Sequence, residues 1–565
     1  MAKVISIGNQ SFESIRKEDC FYIDKTYFIK EWWENKDNVT LITRPRRFGK
    51  TLNMSMLECF FSNKYKDRGD LFEGLEIWND EKYRKLQGTY PVIFLSFAEI
   101  KQNNYNDAVE KIKRIICEVC QQFDFLKNWD GLTEIEKKNI SNISYNMSDV
   151  MAQDLIKNMS NYLSRYYGKK VIILLDEYDT PMQEAYVNGY WEELVAFTRS
   201  LFNSTFKTNP YLERAIMTGI TRVSKESIFS DLNNLKVITV TSDEYSKCFG
   251  FTEDEVFAAL DEQGLSSEKE KVKLWYDGFT FGDEKDVYNP WSIINFLDEK
   301  KYKTYWADSS SNGLVNELIR TGSAEIKKTM ETLMAGGTVE KNIDEQIVFE
   351  QLKTNKDAVW SLLLASGYLR VETFRTEGRL NKKIYSLKLT NYEVEQMFGT
   401  MIERWFGGAD VPYNEFINAM LNGDIESMNE YMNRVTRGVI SYFDTGKTPS
   451  DEEPERFYHG LVLGLMVDQV DNYILNSNRE SGYGRYDIML EPIDKTNEKY
   501  PGIVIEFKVI NPRKESSLEE TVGVALKQIE EKNYDAELIK RGVKEENIHH
   551  YGFAFKGKKV LIDGR

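Results

Sequence analysis

One octapeptide near the N-terminus constrains the fold of this chain more than any other feature. Residues 44–51 read Arg-Pro-Arg-Arg-Phe-Gly-Lys-Thr, and they follow the apolar, β-branched run at 39–43. A helical pattern of apolar residues begins at once afterwards, over residues 52–61. A strand, a loop that ends in Gly-Lys-Thr and a helix form the order of a phosphate-binding P-loop. The sequence therefore predicts a nucleotide-binding domain built around a strand at 39–43.

The loop departs from the usual G-x-x-x-x-G-K-[ST] pattern at its first position. Arg44 and Pro45 stand where a glycine normally lets backbone amides curl around phosphates. Gly49, Lys50 and Thr51 still supply close backbone approach, a cation for the β- and γ-phosphates, and a hydroxyl for Mg²⁺ at a helix N-terminus. A basic turn before a buried helix would use the same residues, so a second motif is needed to decide.

The run at 170–179 supplies that second motif. Its apolar stretch is typical of a central parallel strand that is buried on both faces, and it ends in Asp176 and Glu177. Ligands of such sheets bind at the carboxyl ends of the strands. We therefore predict that Asp176 holds Mg²⁺ through water and that Glu177 orients the attacking water, as in a Walker B motif. A strand ending in Asp-Glu can also be purely structural, but its pairing with the upstream Gly-Lys-Thr favours nucleotide binding.

A third strand-like run, residues 214–222, also ends in polar side chains. In P-loop ATPases a polar residue at the tip of the strand beside the Walker B strand senses the γ-phosphate. Thr218 and Thr221 are the two candidates for this role, and Arg222 is the candidate to pair with phosphate charge. An edge loop stabilised by hydroxyl turns is the alternative interpretation of all three residues.

Composition narrows the class of protein. A chain of 565 residues is expected to form about three or four domains, and a formal net charge of -16 argues against nonspecific coating of nucleic acid. We find neither a secretory pattern at the N-terminus nor an apolar run that would span a bilayer. The five cysteines are few and odd in number, unlike a disulfide framework. We therefore expect a soluble cytoplasmic protein, with Cys117-x-x-Cys120 on the apolar face of a helix in a structural role.

The C-terminal region carries a different pattern. A helical pattern at 455–474 precedes two strand-like runs, at 486–490 and 502–509. The predicted order is a helix followed by three strands, and these two runs are the second and third of the three. Asp487 falls on the first of these runs and Glu506-x-Lys508 on the second. Strand alternation places Glu506 and Lys508 on the same face.

Two carboxylates and a lysine in this arrangement suit a metal-dependent phosphodiesterase. Asp487 and Glu506 can bind Mg²⁺ with help from the Phe507 carbonyl, and the Lys508 ammonium can position or deprotonate the attacking water and offset phosphate charge. This is the PD-(D/E)XK pattern without a proline before the aspartate. The isolated pattern is a weak signal, which its setting of helix and strands and the following helix with Gln528 strengthen.

These motifs together resemble the predicted AAA-like ATPases of bacteria that carry a C-terminal PD-(D/E)XK nuclease-like domain. The segments that carry the resemblance are 21–26, 44–51, 174–179 and 218–229 in the first half and 476–487 in the last domain. That family has Arg-Pro-Arg-Arg-Phe-Gly-Lys where a standard P-loop has its glycine, and the resemblance covers nearly the whole chain. It implies that Lys50 and Thr51 are the phosphate and Mg²⁺ residues, that Asp176 and Glu177 are the Walker B pair, and that Gln528 is an auxiliary nuclease residue.

The predicted fold class is α/β in three parts. We expect an AAA-like P-loop ATPase domain with a parallel sheet over 1–250, a mainly helical lid or linker region over 251–440, and an α/β PD-(D/E)XK nuclease-like domain over 441–565. In the first part, Arg44, Arg46 and Arg47 are expected to make charge-assisted phosphate contacts in place of the missing glycine.

Two functions remain open at this point. In the first, ATP binding and hydrolysis gate a nuclease that uses Mg²⁺, or Mn²⁺ in its place. Its substrate is nucleic acid, with DNA preferred and RNA left open. In the second, a nucleotide-switched regulatory or nucleic-acid-binding protein keeps an inactive nuclease fold, which the acidic charge and the absent glycine favour. No membrane partner is expected, and a homo-oligomer stays open. A role in defence or in the control of mobile elements is suggested by the class of protein alone.

Overall fold

The computed structural model describes most of the chain and divides it into two compact units. The described residues are 3–221, 228–229, 232–307, 315, 318–319, 324–334, 336–344, 358–378, 382–406, 413–439, 472–477, 480–481, 484–485, 487–511, 514–556 and 559–565. The first unit comprises Met1–Leu314 and Thr338–Glu395, and the second comprises Val315–Gly337 and Gln396–Arg565.

A parallel five-stranded sheet forms the centre of the first unit. Its strands are β1 (Val39–Thr43), β2 (Val92–Ser96), β3 (Val171–Asp176), β4 (Leu212–Gly219) and β5 (Leu235–Ile238). Their order across the sheet is β2-β3-β4-β1-β5. All residues of β1 and of β3 are buried, as the apolar runs predict for strands covered on both faces. Because β4 lies between β1 and β3, the carboxyl ends of these three strands meet at one edge.

Helices connect these strands and cover the sheet. Their bounds are α1 (Phe12–Lys17), α2 (Tyr27–Asn35), α3 (Lys50–Phe61), α4 (Glu81–Leu86), α5 (Tyr105–Gln121), α6 (Glu134–Ser141), α7 (Asp149–Tyr167), α8 (Thr180–Asn188) and α9 (Trp191–Phe202). The apolar faces of α5 and α7 pack with β2 and β3 in one buried cluster. Cys117 and Cys120 lie in that cluster, and all five cysteines are buried and free. This agrees with a structural role for the pair, and the described residues contain no group of three or more His, Cys, Asp or Glu that could hold a metal ion.

The middle of the chain adds helices and two small antiparallel sheets to the first unit. The helices are α10 (Glu253–Glu262), α11 (Lys269–Tyr276), α12 (Pro290–Glu299), α14 (Ala358–Ala365) and the beginning of α15 (Tyr392–Phe406). The strands are β6 (Phe251–Thr252), β7 (Phe279–Phe281), β8 (Glu284–Tyr288), β9 (Val339–Asn342), β10 (Leu369–Glu377) and β11 (Lys382–Leu389). They form sheets of the order β6-β8-β7 and β10-β11-β9. Thr252 and Glu255 form the capping box at the start of α10.

The second unit is built on a mixed five-stranded sheet. Its strands are β12 (Tyr473–Ser477), β15 (Ile488–Pro492), β16 (Gly502–Val509), β17 (Ile548–Lys556) and β18 (Lys559–Gly564), in the order β12-β15-β16-β17-β18. A separate short hairpin pairs β13 (Glu480–Ser481) with β14 (Gly484–Arg485). Only the β16–β17 pair is parallel among these described strands. The helical prediction was wrong at Tyr473 and Ile474, which lie in β12, and the rest of the predicted helix at 455–472 lies outside the described residues except for residue 472.

Helices cover both faces of this second sheet. The described helices of this unit are α13 (Ala324–Met334), the later part of α15, α16 (Tyr413–Asn422), α17 (Ile425–Val439), α18 (Leu518–Lys532) and α19 (Ala536–Lys540). Side chains of α16 and α17 pack on one face, and α18 packs on the other. The amide side chains of Asn429 and Asn433 bond to the backbone of Ile562 and Val560 on the edge strand β18. These two side chains thus hydrogen-bond to backbone groups that would otherwise be unpaired at the edge of the sheet.

Candidate functional sites

The end of the P-loop and the end of β3 form the first candidate site. Gly49, in the left-handed region at φ +79°, precedes the first residue of α3. The hydroxyl of Thr51 donates to Asp176 Oδ2 at 2.7 Å. The buried Lys50 ammonium donates to the carbonyls of Arg44 (3.1 Å) and Pro45 (3.0 Å) and lies 3.4 Å from Glu177 Oε1. The fold thus brings the Gly-Lys-Thr end of the loop together with the two carboxylates.

Thr218 on β4 connects to this pair of carboxylates. Its hydroxyl donates to Asp176 Oδ1 at 2.5 Å and accepts the backbone N–H of Glu177 at 3.4 Å. The Thr218 carbonyl accepts the N–H of Tyr178 at 2.9 Å. Glu177 has a positive φ of 52°, which is unusual for a residue with a side chain and is sustained by these surrounding contacts. Of the predicted residues on β4, Thr218 is the one that lies against Asp176.

Asp179, which no motif marks in the sequence, also lies at this candidate site. Its buried Oδ2 accepts the N–H groups of Ile220 and Thr221 and, at 3.0 Å, the Thr221 hydroxyl. The hydroxyl of Thr221 therefore fixes the loop after β4. The signal that could have found Asp179 is its position three residues after Asp176, in a turn that brings it back to the end of the same sheet. Arg222 lies outside the described residues.

Two carboxylates of this site, those of Asp176 and Asp179, are costly to ionise. Burial raises the pKa of Asp176, and the negative charge of Glu177 adds to the effect, while the hydroxyls of Thr218 and Thr51 and the charge of Lys50 oppose it. Burial also raises the pKa of Asp179. Binding of a cation or a proton to this buried, negatively charged cluster therefore lowers its free energy.

Arg44 departs from the prediction that it contacts phosphates. Its fully buried guanidinium donates to the carbonyls of Thr43 (2.9 Å), Thr239 (2.7 Å) and Tyr245 (3.3 Å). It also lies 4.6 Å from the ring centroid of Phe281. The prediction fails because these carbonyls and the ring hold the side chain inside the core. Burial lowers the pKa of Arg44 to about 10, so the group stays cationic at neutral pH.

The other two arginines of the loop lie closer to solvent. Arg46 Nη2 donates to Gln183 Oε1 at 3.4 Å. Arg47 is exposed, has a φ of +62°, and places its guanidinium 3.7 Å from the ring centroid of Trp291. Only these two of the three arginines are placed where a phosphate in solution has access to them.

The second candidate site lies at β15, β16 and α18. Asp487 directly precedes β15, and its Oδ2 accepts the N–H of Phe507 at 2.8 Å. Glu506 is only 2 % exposed. Its Oε1 accepts Lys508 Nζ at 2.8 Å and also accepts Gln528 Nε2 from α18. All four polar side chains predicted from the acid-acid-lysine pattern and the following helix are therefore brought together.

Local packing fixes the orientation of this second site. The ring of Phe507 is buried in the core below α16 and α17, so strand alternation turns its neighbours Glu506 and Lys508 to the α18 face. Gln528 Nε2 also donates to the hydroxyl of Tyr534 at 3.0 Å. Tyr534, a buried residue missed by the sequence reasoning, has its pKa raised by burial and so stays a neutral phenol. It lies six residues after Gln528 without a motif that marks it.

The N-terminal and the C-terminal parts of the chain each match a model of a known protein family. Residues 6–229 match the family model described as Predicted AAA-ATPase. Residues 453–564 match the model of the PD-(D/E)XK nuclease superfamily. Together with the parallel sheet, the helices of the middle region and the mixed C-terminal sheet, the two matches confirm the predicted resemblance and the predicted α/β fold class.

One curated relative matches over most of the chain. It carries the name "Uncharacterized protein in vnfD 5′ region", from Azotobacter chroococcum mcd 1. It is 25 % identical over 396 residues, which cover 70 % of this chain and 68 % of the relative. None of the described helices has the length and apolar character needed to cross a bilayer. The two family matches support a protein with a nucleotide-binding domain and a nuclease-superfamily domain.

Proposed function

We propose that this protein binds and hydrolyses ATP at the P-loop site, and that its nucleotide state gates a metal-dependent nuclease in the second unit. The substrate of the nuclease is nucleic acid, DNA in preference to RNA. The single observation that carries the proposal is the convergence of Lys508 and Gln528 on the buried Glu506, beside the Asp487 that the N–H of Phe507 holds. Two carboxylates and a lysine placed in this way can bind a divalent cation and position a water for phosphodiester cleavage.

The donor set of the second site fits a hard divalent cation. The carboxylates of Asp487 and Glu506 and the carbonyl of Phe507 are all oxygen ligands, which Mg²⁺ and Mn²⁺ prefer. When bound there, the cation would supply an activated water and stabilise charge on the phosphate.

The protein side chains supply the remaining chemistry of this site. Lys508 is 28 % exposed at its side chain, so its ammonium can reach a phosphate oxygen or orient the attacking water. Gln528 donates to Glu506 and so fixes the carboxylate in one orientation.

The first site fits ATP with a cation in a similar way. The Thr51 hydroxyl and the Asp176 carboxylate are hard oxygen ligands in direct contact, and they would hold the Mg²⁺ that accompanies the nucleotide. Lys50 would exchange the carbonyls of Arg44 and Pro45 for the β- and γ-phosphates. Glu177 would orient the water that attacks the γ-phosphate, while Arg46 and Arg47 would add charge from the solvent side.

A cleavage assay on the purified full chain tests the proposal. Linear, circular and single-stranded DNA and RNA are each incubated with Mg²⁺ or Mn²⁺, with and without ATP. We expect metal-dependent cleavage of DNA whose rate changes with ATP. Glu506→Ala and Lys508→Ala should each reduce cleavage by roughly 10²–10⁴-fold.

Two results would contradict the proposal. Cleavage that both substitutions leave unchanged would show that the site of Glu506 and Lys508 does not carry it out, and the nuclease assignment would be wrong. Absence of cleavage on every substrate, combined with nucleic-acid binding that responds to ATP, would instead favour a nucleotide-switched binding protein with an inactive nuclease fold.

A further inference from the structure

The P-loop is supported from outside by residues far along the chain. The carbonyl of Arg46 accepts hydrogen bonds from the indole Nε1 of Trp306 (3.1 Å) and from Asn289 Nδ2 (3.4 Å). Both donors are buried. The backbone of the loop is therefore fixed at its midpoint by side chains that lie more than 240 positions downstream.

An aromatic cluster extends this support. The buried Phe48 packs edge-on against Phe279 and Phe281, with ring centroids 4.8 and 5.3 Å apart. Trp306 packs edge-on against the same Phe279 at 5.4 Å. Such pairs stabilise a packed arrangement beyond the area that they bury. The loop and Trp306 thus share one rigid aromatic contact, in addition to the hydrogen bond at Arg46.

A buried carboxylate holds Trp306 in place. Glu393 is fully buried, and its Oε1 accepts the backbone N–H of Trp306 at 2.6 Å and of Ala307 at 3.4 Å. Its Oε2 accepts the hydroxyl of Ser292 at 2.8 Å. Glu393 is the second residue of α15, where a negative charge is favourable at the helix N-terminus. A chain of direct contacts therefore runs from the P-loop carbonyl through Trp306 to the first turn of α15.

A second connection ends at the same place. Gly367 lies so close to the loop that a Cβ atom there would come within 2.9 Å of Pro45 Cγ. The carbonyl of Gly367 accepts the hydroxyl of Thr390 at 2.7 Å. Thr390 is buried and lies two residues before α15 begins. Two independent routes thus connect the loop to the start of this helix.

We propose that Trp306 and Glu393 are positioning residues that transmit the nucleotide state of the P-loop to α15. This inference rests on the proposed function and names the regulation of the same site. The last stretch of the first unit ends at Glu395, inside α15, so this helix is one of the places where the chain passes between the two units, and the one after which it stays in the second. A change in the first turn of α15 is therefore passed on along the backbone itself.

Binding of a phosphate changes the hydrogen bonds of the P-loop and therefore its conformation. Lys50 bonds to the carbonyls of Arg44 and Pro45, the two residues just before the carbonyl that Trp306 holds. A γ-phosphate that takes over Lys50 frees these carbonyls and changes the backbone next to Arg46. Because the surrounding aromatic contacts are tightly packed, the loop and its support shift together.

Hydrogen exchange in the full chain tests this inference without relying on nuclease activity. Amide exchange of residues 392–406 is measured with and without Mg²⁺-ATP in the natural protein and in Trp306→Phe, which keeps a ring but lacks the donor. We expect ATP to change this exchange at least severalfold in the natural protein and to lose most of that effect in the variant. ATP binding should weaken by roughly fivefold, the value of one hydrogen bond. Trp129→Phe is the matched control, because Trp129 packs on Tyr166 and Arg165 of α7, and it should keep the full response.

Substitution of the carboxylate separates positioning from loss of folding. Glu393→Ala should abolish the response of α15, whereas Glu393→Gln, whose amide oxygen can still accept from Trp306, should restore much of it. An unchanged response in Trp306→Phe, or ATP binding by the natural protein without any change at 392–406, would overturn the inference alone. Failure of the natural protein to bind ATP would instead overturn the proposed function.

Discussion

The P-loop site and the nuclease site are assembled in opposite ways. In the first, contacts join residues far apart in the chain: Thr51 meets Asp176 over 125 positions, and Arg44 meets Thr239 over 195. In the second, the largest separation between contacting polar groups of the predicted set is 22 positions, from Glu506 to Gln528. The polar contacts of the first site therefore join distant parts of a unit, whereas those of the second join residues at two adjacent strands and one helix.

This difference explains how an unusual P-loop is accommodated. A standard loop uses glycine for backbone freedom, whereas here the first position is a buried arginine that bonds to three carbonyls. The support of the loop comes from Trp306, Phe279 and Gly367. The lysines of the two sites also differ in exposure. The side chain of Lys50 is 2 % exposed, and that of Lys508 is 28 % exposed. The ammonium of Lys508 is therefore more accessible to solvent than that of Lys50.

The largest expected effects test whether the two sites are separable. Lys50→Ala should weaken ATP binding by roughly 10–100-fold, because it removes charge-assisted bonds to phosphate. Glu506→Ala should reduce cleavage by roughly 10²–10⁴-fold and leave the affinity for ATP unchanged. Binding of a fluorescent ATP analogue, measured beside cleavage of labelled DNA, checks both. Lys64→Ala, at an exposed lysine of the same domain, is the control. If Lys50→Ala binds ATP as tightly as the natural protein, the P-loop assignment is wrong.

Two glycines with a positive φ can test whether contacts from distant residues stabilise the P-loop. Gly367 (φ +86°) would clash with Pro45 and Phe279 if it carried a Cβ, whereas Gly378 (φ +71°) has no atom within 4 Å of that position. Gly378→Ala should cost about 1 kcal/mol of the free energy of unfolding, from backbone strain alone.

At the supported position the cost should be greater. Gly367→Ala should cost about 1–3 kcal/mol more, since it also forces the packed loop apart. Chemical denaturation measures the free energies of unfolding, and the ATP titration shows whether binding weakens with them. Equal losses of stability and affinity in both variants would mean that contact with Pro45 does not support the loop.

A smaller effect is expected from the buried charge of Asp176. The raised pKa means that the folded state binds a proton more tightly than the unfolded state does, so this carboxylate lowers the free energy of unfolding increasingly as pH rises above about 4. Asp176→Asn should therefore raise the melting temperature of the nucleotide-free protein at pH 7.5. The gain should shrink towards pH 4.5, and added Mg²⁺-ATP should no longer stabilise the variant. A lower melting temperature at pH 7.5 would contradict the electrostatic account of this site.

The same contrast between local and distant contacts decides what the sequence could predict. Buried strands such as β1 and β3 were predictable because their residues, apart from the terminal Asp176, are apolar or β-branched, and Asp487, Glu506 and Lys508 were predictable because strand alternation is local. The burial of Arg44 was not, since its partners lie nearly 200 residues downstream and belong to no motif.

Two further features could not be predicted from the sequence, for related reasons. Glu393 gives no local signal, because its role depends on Trp306 and Ser292 reaching it in the folded unit. Tyr473 and Ile474 continue an apolar helical pattern, yet they pair with Pro492 and Glu491 as a strand. Tertiary pairing outweighed the local periodicity at these two residues.

The most direct test of the account compares cleavage rates of labelled linear DNA by one preparation with Mg²⁺ alone, with Mg²⁺-ATP, and with Mg²⁺ and a nonhydrolysable ATP analogue. The same three conditions are applied to Lys50→Ala. We predict that the rate in the natural protein depends on the nucleotide and that the rate in Lys50→Ala is the same in all three conditions. A natural protein that cleaves DNA at one rate regardless of nucleotide would contradict the claim that the first unit gates the second.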